Sequence, residues 1–191
     1  EVFPWPVVYK TRAEAQAKGE MEGREDLNDT LFVSWGDEIE AAWPKGGMLS
    51  IPSFGHIKVT KGIKCSCGGD GCLSAVASGR AIKETTGINQ YRRLLTEEKG
   101  LLAIDDISSA MAFAFSEAVQ ATGADSIMIT GEMSSMPKDL YASIQDKMIM
   151  TLPPERRSVT LIKSEKADKA LLEGAGLIAL DEFFYHREIL D

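Results

Sequence analysis

The run Cys65-Ser66-Cys67-Gly68-Gly69-Asp70-Gly71-Cys72, preceded nine positions upstream by His56, constrains this chain more than any other feature. Residues 55–71 are rich in glycine and lysine and lose strand or helix periodicity in their second half, so the stretch reads as a loop that something must hold. Thiolates and imidazole are good zinc ligands, and four of them close a tetrahedral structural site. Two cysteines one residue apart, then a glycine-rich turn, let three sulfurs converge without crowding, and Gly68, Gly69 and Gly71 let backbone amides point towards them. His56, Cys65, Cys67 and Cys72 are therefore expected to bind Zn2+, stabilising the fold by roughly 10 kcal/mol. With every position filled by protein, the expected site is structural. Inert buried cysteines sit singly on strands or helices, whereas these share a polar loop. No Cys-x-x-Cys pair is present, and the other histidine, His186, is distant in sequence. Asp70 reads as a turn residue. The odd, clustered set of 3 cysteines is no disulfide framework, which points to a reducing, cytoplasmic setting.

The rest of the chain patterns as an α/β domain. Short β-prone runs at Pro6–Tyr9, Leu31–Trp35, Ile39–Trp43 and Met48–Ile51 are expected strands, with Gly36-Asp37 turning a hairpin. Helices are expected at Arg12–Glu22, Ser78–Glu84 and Asn89–Lys99. A longer one is expected at Ile107–Thr122, where Met111, Phe115 and Val119 recur every four residues. Asp105 or Asp106 is its expected cap and Gly123 its stop. Strand Ser126–Thr130, helix Lys138–Met148, strand Val159–Ile162 and helix Lys166–Tyr185 complete the alternation, which implies parallel pairing with helices on the sheet faces. Trp5, Trp35 and Trp43 are expected in the core or an interface, and Met128, Met133, Met136, Met148 and Met150 in the core. His186 is expected on the exposed side of the last helix.

Charge excludes some function classes. A net charge of −8 and a pI near 4.9 suit neither nucleic acid nor an anionic membrane. The pairs Arg92-Arg93 and Arg156-Arg157 are too short to make a basic surface. No run approaches the roughly 18–20 apolar residues that span a bilayer, and the first residues do not read as a secretory signal.

Gly55-His56, the cysteine run followed by Leu73, and then Ala77-Ser78-Gly79-Arg80-Ala81-Ile82 together resemble the zinc-loop signature of the ROK family of repressors, open reading frames and sugar kinases. Ile127-Met-Ile-Thr-Gly131 resembles the family's nucleotide-side strand, and Glu173-Gly-Ala-Gly-Leu-Ile-Ala179 its closing helix. The resemblance implies an actin-like ATPase (ribonuclease-H-like) fold: a mixed sheet flanked by helices, with a zinc-stabilised loop at 55–73, a nucleotide-side part at 105–165 and a closing helix at 166–188. It places residues 1–191 in the C-terminal lobe, with the phosphate-binding N-terminal lobe outside the chain. It also implies a sugar-binding cleft, a homodimer and, for kinase members, transfer of the ATP γ-phosphate to a hexose with an aspartate as general base.

At the positions where the family carries this chemistry, the chain departs from it. The Asn-Asp pair whose aspartate is the base is Lys10-Thr11 here, and a threonine hydroxyl is far too weak a base near neutral pH. Asp26 and Asp29 lie further on and could substitute only through a local rearrangement. The sugar-binding glutamates are Ser53 and Ser74, leaving His56 as the retained sugar-side residue. The Gly-x-Gly-x-Gly hairpin keeps only Gly36, and Trp35 and Glu38 are expected to obstruct a phosphate. On the nucleotide side the Gly-Gly pair is Thr130-Gly131. Gly131 and Gly174 are the remaining candidates for cofactor contact, although Gly174-Ala175-Gly176 equally suits close helix packing. The expectation is a zinc-containing domain without catalysis, serving carbohydrate-linked regulation or a structural, dimerising role, with no nucleic acid or membrane bound through this chain. The alternative is a glucokinase-like sugar kinase using ATP and Mg2+.

Overall fold

The structure, a computed structural model, describes residues 7–166 and 168–185. Five strands form one sheet in the order β3-β2-β1-β4-β5. They are β1 (Thr30–Trp35), β2 (Ile39–Trp43), β3 (Leu49–Ile51), β4 (Ser126–Thr130) and β5 (Thr160–Lys163). β1, β2 and β3 pair antiparallel through tight connections, whereas β1–β4 and β4–β5 pair parallel across helical crossovers. The hairpin turn closes where Gly36 N–H donates to the Glu38 carbonyl at 3.1 Å.

Side-chain alternation along β1 sends the two sheet faces to different cores. Leu31, Val33 and Trp35 enter the main cluster with Ile127 and Ile129, while Phe32 and Met128 enter a smaller one with Ala13 and Ala17. The larger core is roofed by α4 (Glu98–Thr122) and α5 (Lys138–Thr151), the smaller by α1 (Arg12–Met21) with α6 (Asp168–Leu180) against it. α6 runs into a π-turn at Asp181–Tyr185. Two short helices, α2 (Leu73–Ala77) and α3 (Gly79–Thr86), follow the cysteine run, and Ser78 caps α3 by accepting the Ala81 amide at 3.1 Å.

α1 and α6 cross at glycines. A Cβ at Gly19 would stand 2.0 Å from the Ala170 carbonyl oxygen, and one at Gly174 only 1.7 Å from that of Ala15. The crossing therefore brings backbone against backbone.

Several expectations change. Residues 7–10 join no strand, and Trp5, Pro6 and His186 lie outside the described residues. The helix expected at Asn89–Lys99 is a 3₁₀ turn at Tyr91–Leu95, and α4 begins at Glu98 rather than near Ile107. Asp105 and Asp106 resemble a cap but lie inside the helix. The earlier start is set by packing, because Gly100 sits against the Leu94 backbone, where a Cβ would meet its carbonyl oxygen at 2.3 Å. Gly123, with φ 75°, ends the helix as expected. Met150 is 80% exposed and is not core filler, unlike Met128, Met133, Met136 and Met148. Among the described residues, no helix is long and apolar enough to cross a membrane.

Candidate metal centre and the adjoining cleft

The cysteine run is a small knot of backbone hydrogen bonds. Cys65 N–H donates to Gly69 O at 3.0 Å, Gly68 N–H to Cys65 O at 2.9 Å and Gly71 N–H to Ile63 O at 2.7 Å. The carbonyl of Gly71 accepts from both Val59 and Thr60, stitching the run to the segment after His56. Gly71 is required twice over: its φ is +69°, and a Cβ there would stand 1.8 Å from the Thr60 carbonyl oxygen. Asp70 braces the turn, its carboxylate accepting the Gly62 amide at 2.8 Å.

This backbone brings the donor atoms of His56, Cys65, Cys67 and Cys72 within 4.8 Å of one another. Cys65 Sγ lies 3.7 Å from His56 Nδ1, and Cys67 Sγ lies 3.8 Å from Cys72 Sγ. The sulfurs are free thiols, far beyond the roughly 2 Å of a disulfide. A regular tetrahedron with ion–sulfur distances of about 2.3 Å has edges of about 3.8 Å, so the donor set fits a four-coordinate metal ion. Cys65 and Cys72 are buried and Cys67 and His56 exposed, which puts one edge of the cluster towards solvent. Without metal, the Cys65 thiol is lowered to about 6, first by the backbone amide of Cys67 and then by its neighbouring donors. Burial pushes the Cys72 thiol up, opposed by the hydrogen bond from Lys58.

A cleft of about 630 Å³ adjoins the cluster, between the β1–β2 hairpin, the His56 turn and α3. His56 and Ser74 line it; Ser53, exposed on the same 3₁₀ turn (Pro52–His56), does not. Ser74 Oγ packs over Gly55, at 2.1 Å from where a Cβ would stand. Thr11 lines a separate groove, between residues 7–12 and α6. Its hydroxyl is committed to structure: it caps α1 by accepting the Glu14 amide at 3.2 Å and lies 3.0 Å from Ser50 Oγ. Asp26 pairs with Arg24 at 2.8 Å and Asp29 with Lys45 at 2.9 Å, both on the surface.

The hairpin tip is acidic. Asp37, Glu38 and Glu40 all line the cleft, and the Glu132 carboxylate carbon lies 3.9 Å from where a Cβ on Gly36 would stand. Tyr91 donates to Asp37 at 3.1 Å, and burial, with Asp37 and Glu132 nearby, holds its hydroxyl up at about 12. Trp35 does not obstruct the tip, contrary to expectation. It points into the core, and its indole donates to the Ala77 carbonyl at 2.7 Å. Trp43, on the same sheet face, is half-buried beside that core. Glu38 is at the tip, paired with Arg80 at 3.1 Å.

Of the nucleotide-side candidates, Gly131 lines a hollow of about 450 Å³ with Tyr91 and Glu132. Gly174 is buried in the α1–α6 crossing, so its missing side chain serves helix packing. Two site residues escaped the sequence reading. Glu40 lies in the run Ile39–Trp43, read only as a strand, and Lys58, two positions after His56, reaches the cysteines.

Solved structures resemble this fold. A ROK family transcriptional regulator, a homologue of the E. coli MLC protein, aligns with TM-score 0.76 at 21% identity over 87% of this chain and 50% of its own. A ROK family glucokinase from Streptomyces griseus, in complex with glucose and AMPPNP, aligns with TM-score 0.76 at 19% identity over 91% of this chain and 68% of its own. A ROK hexokinase from Thermus thermophilus gives TM-score 0.72 at 18% identity, covering 89% of this chain and 66% of its own. The chain thus spans half the length of the regulator and about two thirds of the kinases. At these identities the likeness establishes the actin-like fold alone. No curated protein sequence matches the chain. The ROK family model matches residues 38–182, most of the chain, and the chain belongs to the ROK family.

Proposed function

We propose that this chain is a non-catalytic ROK domain, braced by a structural zinc ion, that serves carbohydrate-linked regulation or acts as a dimerising scaffold. The observation that carries the reading is Thr11. It stands where the resemblance places the catalytic aspartate, and its hydroxyl is used to cap α1. Ser53 and Ser74 stand where sugar-binding glutamates belong. The carboxylates of Asp37, Glu38 and Glu132 around the hairpin tip would repel a triphosphate. Three thiolates and one imidazole favour zinc over harder ions, and four protein donors leave no open position for substrate. A sugar ligand at the His56 cleft, a homodimer and a cytoplasmic setting belong to this reading, as does the absence of nucleic-acid binding through this chain.

A coupled assay for ATP turnover over a hexose panel, run beside thermal shifts with the same sugars, tests it. The expected result is no turnover, with any sugar binding seen only as a shift in melting. Hexose-dependent turnover would overturn it.

One observation favours a second reading, a glucokinase-like kinase using ATP and Mg2+. Glu40 lines the cleft with His56 and Ser74, and its Oε2 lies 3.4 Å from the Ala13 amide at the start of α1. A carboxylate there could take the base's role from a neighbouring strand. On this reading, turnover exists and disappears with Glu40→Gln.

A further inference from the structure

Lys58 is exposed, yet its ammonium turns back onto the cysteine loop. Its Nζ lies 3.2 Å from Cys72 Sγ and 2.5 Å from the carbonyl oxygen of Asp70. The backbone sets this up, since Lys58 and Cys72 form an isolated antiparallel bridge. Among the described residues Lys58 makes no ion pair, although the acidic side chain of Asp70 is close by and pairs with Lys64 instead. An exposed lysine that bypasses a carboxylate for a thiol and a carbonyl is placed by the loop, not by surface charge.

Gly69 faces the same ammonium. Unlike Gly68 and Gly71, it has no left-handed φ that would demand glycine. A Cβ there would stand 2.9 Å from Lys58 Nζ and 3.3 Å from Cys67 Sγ, so a side chain would push the ammonium aside. The absent side chain leaves the ammonium its place beside the sulfurs.

A divalent ion with three thiolates and a neutral imidazole carries one net negative charge, partly buried here with Cys65 and Cys72. A cation that hydrogen-bonds one thiolate offsets that charge and lowers the sulfur's basicity towards protons. We infer that Lys58 is a positioning residue of the metal centre, neutralising the three-thiolate cluster through Cys72 and raising its hold on the ion. This inference rests on the zinc reading above.

The test uses the full chain. Zinc content is measured first, then zinc affinity by competition with a chromophoric chelator for wild type, Lys58→Met, Lys58→Arg and Gly69→Ala. Lys58→Met is expected to weaken binding about 10- to 100-fold, the range for lost outer partners of a metal ligand. Lys58→Arg should retain most of the affinity, and Gly69→Ala should weaken it by displacing the ammonium. In the Co2+-substituted protein, the sulfur-to-metal charge-transfer band should move in Lys58→Met, which simple bracing of the loop would not cause. Equal melting of the metal-free wild type and Lys58→Met shows that the effect lies in the metal-bound state. Lys58→Met binding zinc as tightly as wild type, with an unmoved band, overturns the inference and leaves the zinc reading intact. A wild type that retains no zinc overturns both.

Discussion

The indole of Trp35 donates to the carbonyl oxygen of Ala77 at 2.7 Å, and both residues are fully buried. Trp35 ends β1 and Ala77 ends α2, the short helix that begins just after Cys72. This bond ties the cysteine loop and its following helix to the central strand of the sheet, so the loop is anchored to the core at one end and held by its own backbone hydrogen bonds at the other.

Trp35→Phe keeps an aromatic ring but leaves the Ala77 carbonyl unmatched and a void beside it. The expected loss is about 2–4 kcal/mol, measured by urea unfolding. A variant as stable as wild type would show that the bond contributes nothing net.

Gly174 and Gly176 make a paired test. Gly174→Ala drives a methyl into the Ala15 carbonyl and should cost about 1–3 kcal/mol or more. At Gly176 a Cβ would meet nothing within 4 Å, so Gly176→Ala should stabilise α6 by about 0.5–1 kcal/mol. Thermal midpoints moving in opposite directions are the expected outcome.

Thr11 separates structure from chemistry. Thr11→Ala removes the cap of α1 and should cost about 1 kcal/mol. Thr11→Asp keeps a capping residue but sets its carboxylate against Glu14, whose Oε2 lies 3.1 Å from the Thr11 hydroxyl, so it should be less stable than wild type while a carboxylate returns to the position the resemblance gives the base. Hexose phosphorylation appearing in Thr11→Asp alone would show that the remaining pocket is still competent.

Gln16 is fully buried, and its Nε2 has no partner among the described residues, while its Oε1 accepts from Thr130 at 2.8 Å. Thr130 also lies 3.2 Å from the Val33 carbonyl and can satisfy its single proton there. Gln16→Met removes the unmatched amide at similar volume and should raise stability by about 1 kcal/mol, seen as a higher melting temperature.

Metal removal should act locally. Chelation is expected to raise hydrogen exchange in residues 55–80 and lower the melting temperature, with β1 and β4 still protected. Binding should also depend on pH. Burial keeps the Cys72 thiol protonated near neutrality, whereas Cys65, at about 6, is already mostly thiolate. The ion displaces the remaining protons, so apparent affinity should fall as pH drops and rise as it climbs. Calorimetry at pH 7.5 in buffers of different ionisation enthalpy should register proton release, and a buffer-independent heat would contradict this.

Much of the fold was legible because its signals are local. Ile39–Trp43 and Ser126–Thr130 form strands with the expected boundaries, as their alternating or continuous apolar character demands. Gly123 stops its helix where a left-handed residue was needed. The gathering of His56 and the cysteines was legible for the same reason: the cysteines fall within one short run, and glycine permits the turn that brings them together.

What misled sequence reading was non-local. Asp105 and Asp106 look like a helix start because they are short acidic residues before an apolar run, but α4 already continues through them. Trp35 sits at a hairpin tip in sequence and in the core in space. Met150 has the composition of a core residue and the exposure of a surface one.

The sequence by itself determined the strand and helix alternation, the family, and the four side chains able to gather around an ion, since each depends on neighbours within a few turns of chain. Tertiary structure alone decided that Gly174 meets Ala15, that Glu40 lines the His56 cleft with its carboxylate near the start of α1, and that the Lys58 ammonium reaches Cys72. Those contacts follow from how the sheet, helices and loop close on one another, and no local spacing encodes that closure.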